Sequence, residues 1–136
     1  MVTTHPPPSG VSRSDQRFTA WQVSHELVLA VYKTTETWPK QELYGLTTQA
    51  KRSAYSVTMN LVEGSAKRGS KESRRFLDIS LGSAAELSYC LLLARDLKYL
   101  SEDKWSKLEE LRNRAGQLVW RLHQAVSKRA QSPANG

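Results

Sequence analysis

The sequence predicts an all-α protein, an up-and-down antiparallel four-helix bundle. Three observations carry this prediction. Apolar residues recur at intervals of three and four along four separate segments. No segment sustains the two-residue alternation of a half-buried strand. Only seven glycines and five prolines occur in 136 residues, most of them at the ends or between the periodic segments, so long stretches are free of helix breakers. The length fits a single domain with its own core.

Residues 1–16 hold three of the five prolines with Ser, Thr and Gly, and read as a disordered Pro-rich tail. A first helix is expected over Phe18 to Thr37, with Trp21, Ser24, Val28 and Val31 on one face and Leu27 beside it. Trp38-Pro39 closes it, because the residue before proline is pushed out of the helical region. In the second, Leu43 to Glu63, the apolar residues Leu43, Leu46, Ala50, Ala54, Val57 and Leu61 step by three or four. Gly64 stands just past its end, placed to take the left-handed conformation. Ser70 reads as the N-cap of a third helix reaching Lys98, with Glu72 in its first turn. Ser101 caps a fourth, whose Glu102 and Asp103 suit the positive helix end. That helix aligns Trp105, Leu108, Leu111, Ala115, Leu118, Leu122 and Val126. Residues 128–136 read as a second disordered tail, which leaves 17–127 for the bundle.

The third helix carries more apolar surface than one bundle needs. Of the 25 residues from Phe76 to Leu100, 16 are apolar, and Leu91-Leu92-Leu93 covers three directions around the axis. A helix in a four-helix monomer has an inner face and part of two flanks to bury. The surplus predicts subunit contacts through Leu91, Leu92 and Leu93, hence a homo-oligomer.

Twenty Lys and Arg against 13 Asp and Glu give a net charge of +7. The single Cys90 excludes an intramolecular disulfide, and no Cys/His group has zinc-site spacing, which excludes a disulfide scaffold and a structural zinc fold. Cys90 itself reads as a small buried hydrophobe. Without a signal-peptide pattern or an apolar stretch of about 18 residues, the chain is expected to be soluble and cytoplasmic.

The basic residues cluster. From Lys51 to Arg75 there are seven cations and two anions, a local balance of +5. Such a cluster at one end of a bundle attracts nucleic-acid phosphates with salt-dependent affinity and no sequence preference; it also reads as a solubilising surface, weakened if Glu63, Glu72 or Glu86 pairs with Arg74 or Arg75. Within it, Gly64 to Ser70 joins helices two and three with two glycines, two cations and a helix N-terminus. These are the ingredients of an anion site, without the spacing of a phosphate-binding P-loop. Turn geometry and phosphate contact are both open readings of the loop. The candidate nucleic-acid contacts are Arg52, Lys67, Arg68, Lys71 and Arg74.

Asn60, Glu63, Ser83 and Glu86 fall near apolar stripes. Carboxylates on facing helices can do acid/base chemistry or hold metals, but a di-iron bundle needs Glu-x-x-His pairs that are missing here, so buried pairing with arginine is the expectation. Ser80, Gly82, Ser83, Ala84 and Ala85 are small enough to let a neighbouring helix approach closely. Trp21, Trp38, Trp105 and Trp120 read as core or interface residues, because no aromatics interleave with cations as a base-stacking platform would require. No nucleophile and base can be paired from spacing, so neither an enzyme nor a cofactor or metal is expected.

The strings Leu46 to Ala54, Asn60-Leu61-Val62-Glu63-Gly64, Lys71-Glu72, Arg75 to Ser83 and Glu86-Leu87 together resemble the four-helix-bundle family of 23S rRNA intervening-sequence proteins, over Trp21 to Gln124. The resemblance implies a small bacterial cytosolic protein whose subunits assemble into a ring, typically a homopentamer. Related bundles include the accessory variability determinant proteins of diversity-generating retroelements, which look like pentamers that bind nucleic acid and reverse transcriptase. No catalytic residues carry over; Asn60, Glu63, Gly64, Arg75, Gly82, Ser83 and Glu86 match as structural markers. One departure is Ser56-Val57-Thr58, where many members have Ser-Ile-Pro, which implies a straighter second helix. The function expected is non-enzymatic nucleic-acid binding, RNA foremost, through the basic surface. The alternative is a scaffold for a protein partner such as a reverse transcriptase or ribosomal factor.

Overall fold

The computed structural model describes residues 6–11 and 15–131, and no strand occurs among them. Four helices are present: α1 (Gln16–Thr35), α2 (Leu46–Ala66), α3 (Ser70–Asp96) and α4 (Glu102–Ala130), with a 3-10 turn at Lys40–Glu42. Each helix packs against the next, and α4 returns to α1. Paired residues climb one helix as they descend its neighbour. Arg17 meets Ser65 while Tyr32 meets Lys51; Ser73 meets Gly64 while Glu86 meets Arg52; Asp78 meets His123 while Ser88 meets Glu109. Neighbours therefore run antiparallel, as their short connections require.

Two clusters make up the core. Leu27, Val31, Trp38, Leu87, Leu91, Leu100 and Leu108 fill one end, and Trp21, Leu61, Leu77, Val119, Leu122 and Val126 the other. The stripes on α2 and α4 point inward in the main, but Leu43 is 47% exposed and precedes α2, Leu46, Trp105, Leu111 and Leu118 are only half-buried, and Val119 is buried on α4 instead. Close packing of α2 on α3 depends on small hydroxyls. Buried Ser80 donates from Oγ to the Val57 carbonyl at 2.7 Å, and the Ser56 and Ser83 hydroxyls bond at 2.7 Å. Gly82 and Ala85, expected in the same contact, face outward instead.

Several boundaries differ from the sequence reading for local reasons. Helix α2 begins at Leu46 rather than Leu43, because the chain after Pro39 first makes the 3-10 turn. Buried Trp38 lies against the Tyr99 ring, and the Tyr99 hydroxyl donates to Glu42 at 2.9 Å, which pins that turn. Gly64 does not end α2 in a left-handed conformation; it lies inside the helix, which runs to Ala66, and it is buried. The reason for glycine is proximity: a Cβ there would stand 3.1 Å from the Ser73 carbonyl and 3.3 Å from the Phe76 Cβ. Ser70 is the first residue of α3 rather than its cap, and Gly69, the cap residue, makes no side-chain bond. Ser101 does cap α4, accepting from the Lys104 N–H at 3.1 Å.

The readings of 1–16 and 128–136 as disordered tails fall partly outside the described residues. Of those described, Val11 is buried in the core, Gln16 opens α1, and α4 runs on to Ala130. Helix α4 outlasts the expected Ser127 because Val126 still has core to cover and the next four residues carry no breaker. Leu91 was expected at a subunit contact but is 1% exposed and belongs to the core; Leu92 and Leu93 are half-buried at the flanks. Trp120 is 54% exposed, so it is not a core residue of the subunit. Helix α3 reaches a mean hydropathy of 1.4 over an 18-residue window, long and apolar enough by composition to cross a membrane, although 39% of that window is buried against the rest of the chain. The expectation that no such stretch exists is thereby corrected; the helix packs into the bundle along its length, with serines among its buried residues.

Candidate nucleic-acid interface

The antiparallel order brings the start of α1, the end of α2, the start of α3 and the end of α4 to one end of the bundle. A cleft of about 410 Å³ opens there, and residues of all four helices line it. Lys67 and Arg68, from the loop between α2 and α3, stand on its rim with Arg17 of α1 and Arg129 of α4. Leu77, Leu122 and Val126 form its apolar floor. Gly69 leaves the start of α3 without a side-chain cap, so the first N–H groups of that helix add their positive end to the same rim.

Arg17 is fixed in place. Its guanidinium binds the Asp15 carboxylate through Nε and Nη2 and donates from Nη1 to the Ser65 carbonyl at 2.9 Å. Asp15 also caps α1, accepting from the Arg17 N–H at 2.9 Å. The bond from the Arg17 side chain holds the Asp15 carboxyl below its ordinary range, with Arg129 adding a smaller attraction. Among the described residues Asp15 is the one carboxylate lining the cleft, and it is already engaged.

Of the five cations expected to contact nucleic acid, four gather at this end. Lys67 reaches Glu63 at 3.6 Å and lies over the Phe76 ring at 5.2 Å. Arg68, Lys71 and Arg74 have no carboxylate partner among the described residues. Arg52 does not join them. It sits about 22 Å back along α2 and pairs with Glu86 across to α3, with Gln49 as a second acceptor at 3.0 Å. Arg75 pairs with Glu72 at 3.6 Å.

The sequence reading missed Arg17 and Arg129, which lie at opposite ends of the chain. Their position follows once the helix directions are known, since an up-and-down bundle places its first N-terminus and last C-terminus together with the second loop. The carboxylates expected to be buried with arginine are not buried: Glu63 and Glu86 are exposed. Asn60 is half-buried and donates to the Ser56 carbonyl at 2.8 Å. No group of three or more His, Cys, Asp or Glu among the described residues could hold a metal. Burial pushes the Cys90 thiol up, away from the nucleophilic thiolate.

The arrangement defines a class: an all-helical four-helix protein with a basic cleft at one end. The family model of the 23S rRNA-intervening sequence protein matches residues 16–121, and the chain belongs to that family. In fold it is similar to the crystal structure of a protein of unknown function from the S23 ribosomal protein family of Bacteroides thetaiotaomicron VPI-5482. The two align with a TM-score of 0.74 at 17% identity, over 81% of this chain and 99% of the other. No curated protein matches the chain in sequence.

Proposed function

We propose that this is a non-enzymatic protein that binds nucleic acid, RNA foremost, through the basic end of the bundle, and that it works as a cytoplasmic homo-oligomeric ring of about five subunits, as the family resemblance implies. The convergence of Lys67 and Arg68 with Arg17 and Arg129 around one cleft supports this reading, with Lys71 and Arg74 on the adjoining turns of α3. Five subunits of net charge +7 would carry about +35 in all, enough for strong attraction to a polyanion at moderate salt.

The test is the affinity of the double variant Lys67→Ala, Arg68→Ala for labelled single-stranded RNA across a salt series. Binding should weaken about equally for every sequence, and the slope of log affinity against log salt should flatten by about 0.7 for each lost contact. Unchanged affinity and slope would overturn the assignment.

A second reading is a scaffold for a protein partner such as a reverse transcriptase or ribosomal factor, the former being the partner that related retroelement bundles suggest. It draws on exposed apolar and aromatic side chains, Tyr44 at 92%, Tyr89 at 62% and Leu97 at 45%. A defined partner that stays bound after nuclease treatment, with no RNA affinity at low salt, would favour it over the first.

A further inference from the structure

We propose that the basic cleft holds a phosphate monoester, the terminal phosphate of a nucleic-acid strand, rather than a phosphodiester within it. This rests on the nucleic-acid reading above and narrows it to strand ends.

Shape is the first argument. A strand bound along its backbone needs a groove open at both ends. This cleft is a recess between the ends of all four helices, closed below by the buried side chains of Leu77, Leu122 and Val126. A ligand that enters from the bundle end meets that apolar floor. Its volume of about 410 Å³ lies at the low end of the range for small-molecule sites, about 300–1,000 Å³. That is room for a terminal nucleotide and too little for a duplex.

Charge is the second. Arg17, Lys67, Arg68 and Arg129 line the recess from different elements, with Asp15 the one carboxylate in its lining among the described residues and Glu63 3.6 Å from Lys67 beside it. A monoester carries about 1.5 to 2 negative charges at neutral pH and three free oxygens. A diester carries one charge and has two free oxygens. Four cations around one small cleft match the more highly charged terminus. Arg17 is already oriented by Asp15 and the Ser65 carbonyl, so little side-chain freedom is lost when its remaining N–H groups bind. Around Gly69 nothing lies within 4 Å of the Cβ position, so an oxygen can approach the backbone at the rim.

The same chemistry could come from the end of an RNA or from a free mononucleotide, and one experiment separates them. Fluorescence anisotropy at low salt would compare a short single-stranded RNA bearing a 5′- or 3′-phosphate with the same strand bearing hydroxyls at both ends. Adenosine monophosphate and inorganic phosphate would serve as competitors. A phosphorylated end should bind about tenfold more tightly, the gain expected for one or two charge-assisted hydrogen bonds. That preference should vanish in Arg129→Ala and persist in Lys104→Ala, about 37 Å away at the far end of α4. Both residues are exposed, and thermal melts would establish that each variant is folded.

Equal affinity for phosphorylated and hydroxyl strands overturns the terminal-phosphate inference and leaves the basic-surface reading standing. A preference that survives both Arg129→Ala and Lys67→Ala overturns the assignment to this cleft. If adenosine monophosphate binds in an Arg129-dependent way while neither strand binds, the monoester chemistry holds and nucleic acid is the wrong source. If nothing binds, both readings fall.

Discussion

At the residue scale, Asp15 has the most defined role, since it caps α1 and orients Arg17 with the same carboxylate. The folded carboxyl ionises below its ordinary value of 3.8. Its contribution to stability is therefore complete above that pH and fades as the pH falls through the folded value. Asp15→Ala should lose about 1 kcal/mol at neutral pH, a cap plus a partly exposed ion pair. In strong acid it should approach wild type. Urea denaturation at several pH values checks this, and a deficit that persists undiminished in acid would show that the carboxylate charge is not its source. Lys98 also meets a local conformational demand. Its φ of 69° ends α3, and the following Tyr99 N–H donates to the Ala94 carbonyl at 2.8 Å. Sequence offered no sign of this, because lysine rarely takes that conformation.

At the element scale, the contact of α2 with α3 sets the geometry of the basic loop. Two glycines distinguish packing from propensity. At Gly64 a Cβ would meet the Ser73 carbonyl at 3.1 Å, whereas at Gly82 nothing lies within 4 Å. Gly64→Ala should destabilise by about 1–3 kcal/mol as the helices are forced apart. Gly82→Ala should stabilise by about 0.5–1 kcal/mol through helix propensity alone. Thermal melts of the two variants should move in opposite directions; a stabilising Gly64→Ala would show that the close approach relaxes freely. The existence of all four helices was legible from apolar spacing, but the inward face of α3 was not, since Leu91 was assigned to a subunit contact and is buried in the core. What sequence misread at Gly64 was the cause of the glycine, because close approach and a left-handed turn both call for a missing side chain. Likewise Ser70 looked like a cap, yet the chain enters α3 one residue earlier in an extended conformation at Gly69.

For the whole molecule, the apolar surplus of α3 divides into two parts. Leu91 is consumed by the subunit core, while Tyr89, Leu93 and Leu97 join Leu46 along an outer groove of about 400 Å³ between α2 and α3. If the ring proposed above closes through this groove, Leu93→Asp should reduce the mass measured by light scattering. Retention of the full assembly by a folded Leu93→Asp variant would place the contact elsewhere. The helical content of each variant by circular dichroism separates lost association from lost folding.

The sequence by itself determined that the protein is helical, that four segments carry helical apolar spacing, and that positive charge gathers near residues 51–75. Periodicity and composition are local properties, readable without knowing what lies beside them. Only the tertiary structure decided that Arg52 is turned away to Glu86 and that Arg17 and Arg129 replace it at the cleft. It decided too that Leu91 is spent inside the subunit. Those outcomes depend on which helix neighbours which, and in what direction, and that is settled by the burial of all four stripes at once.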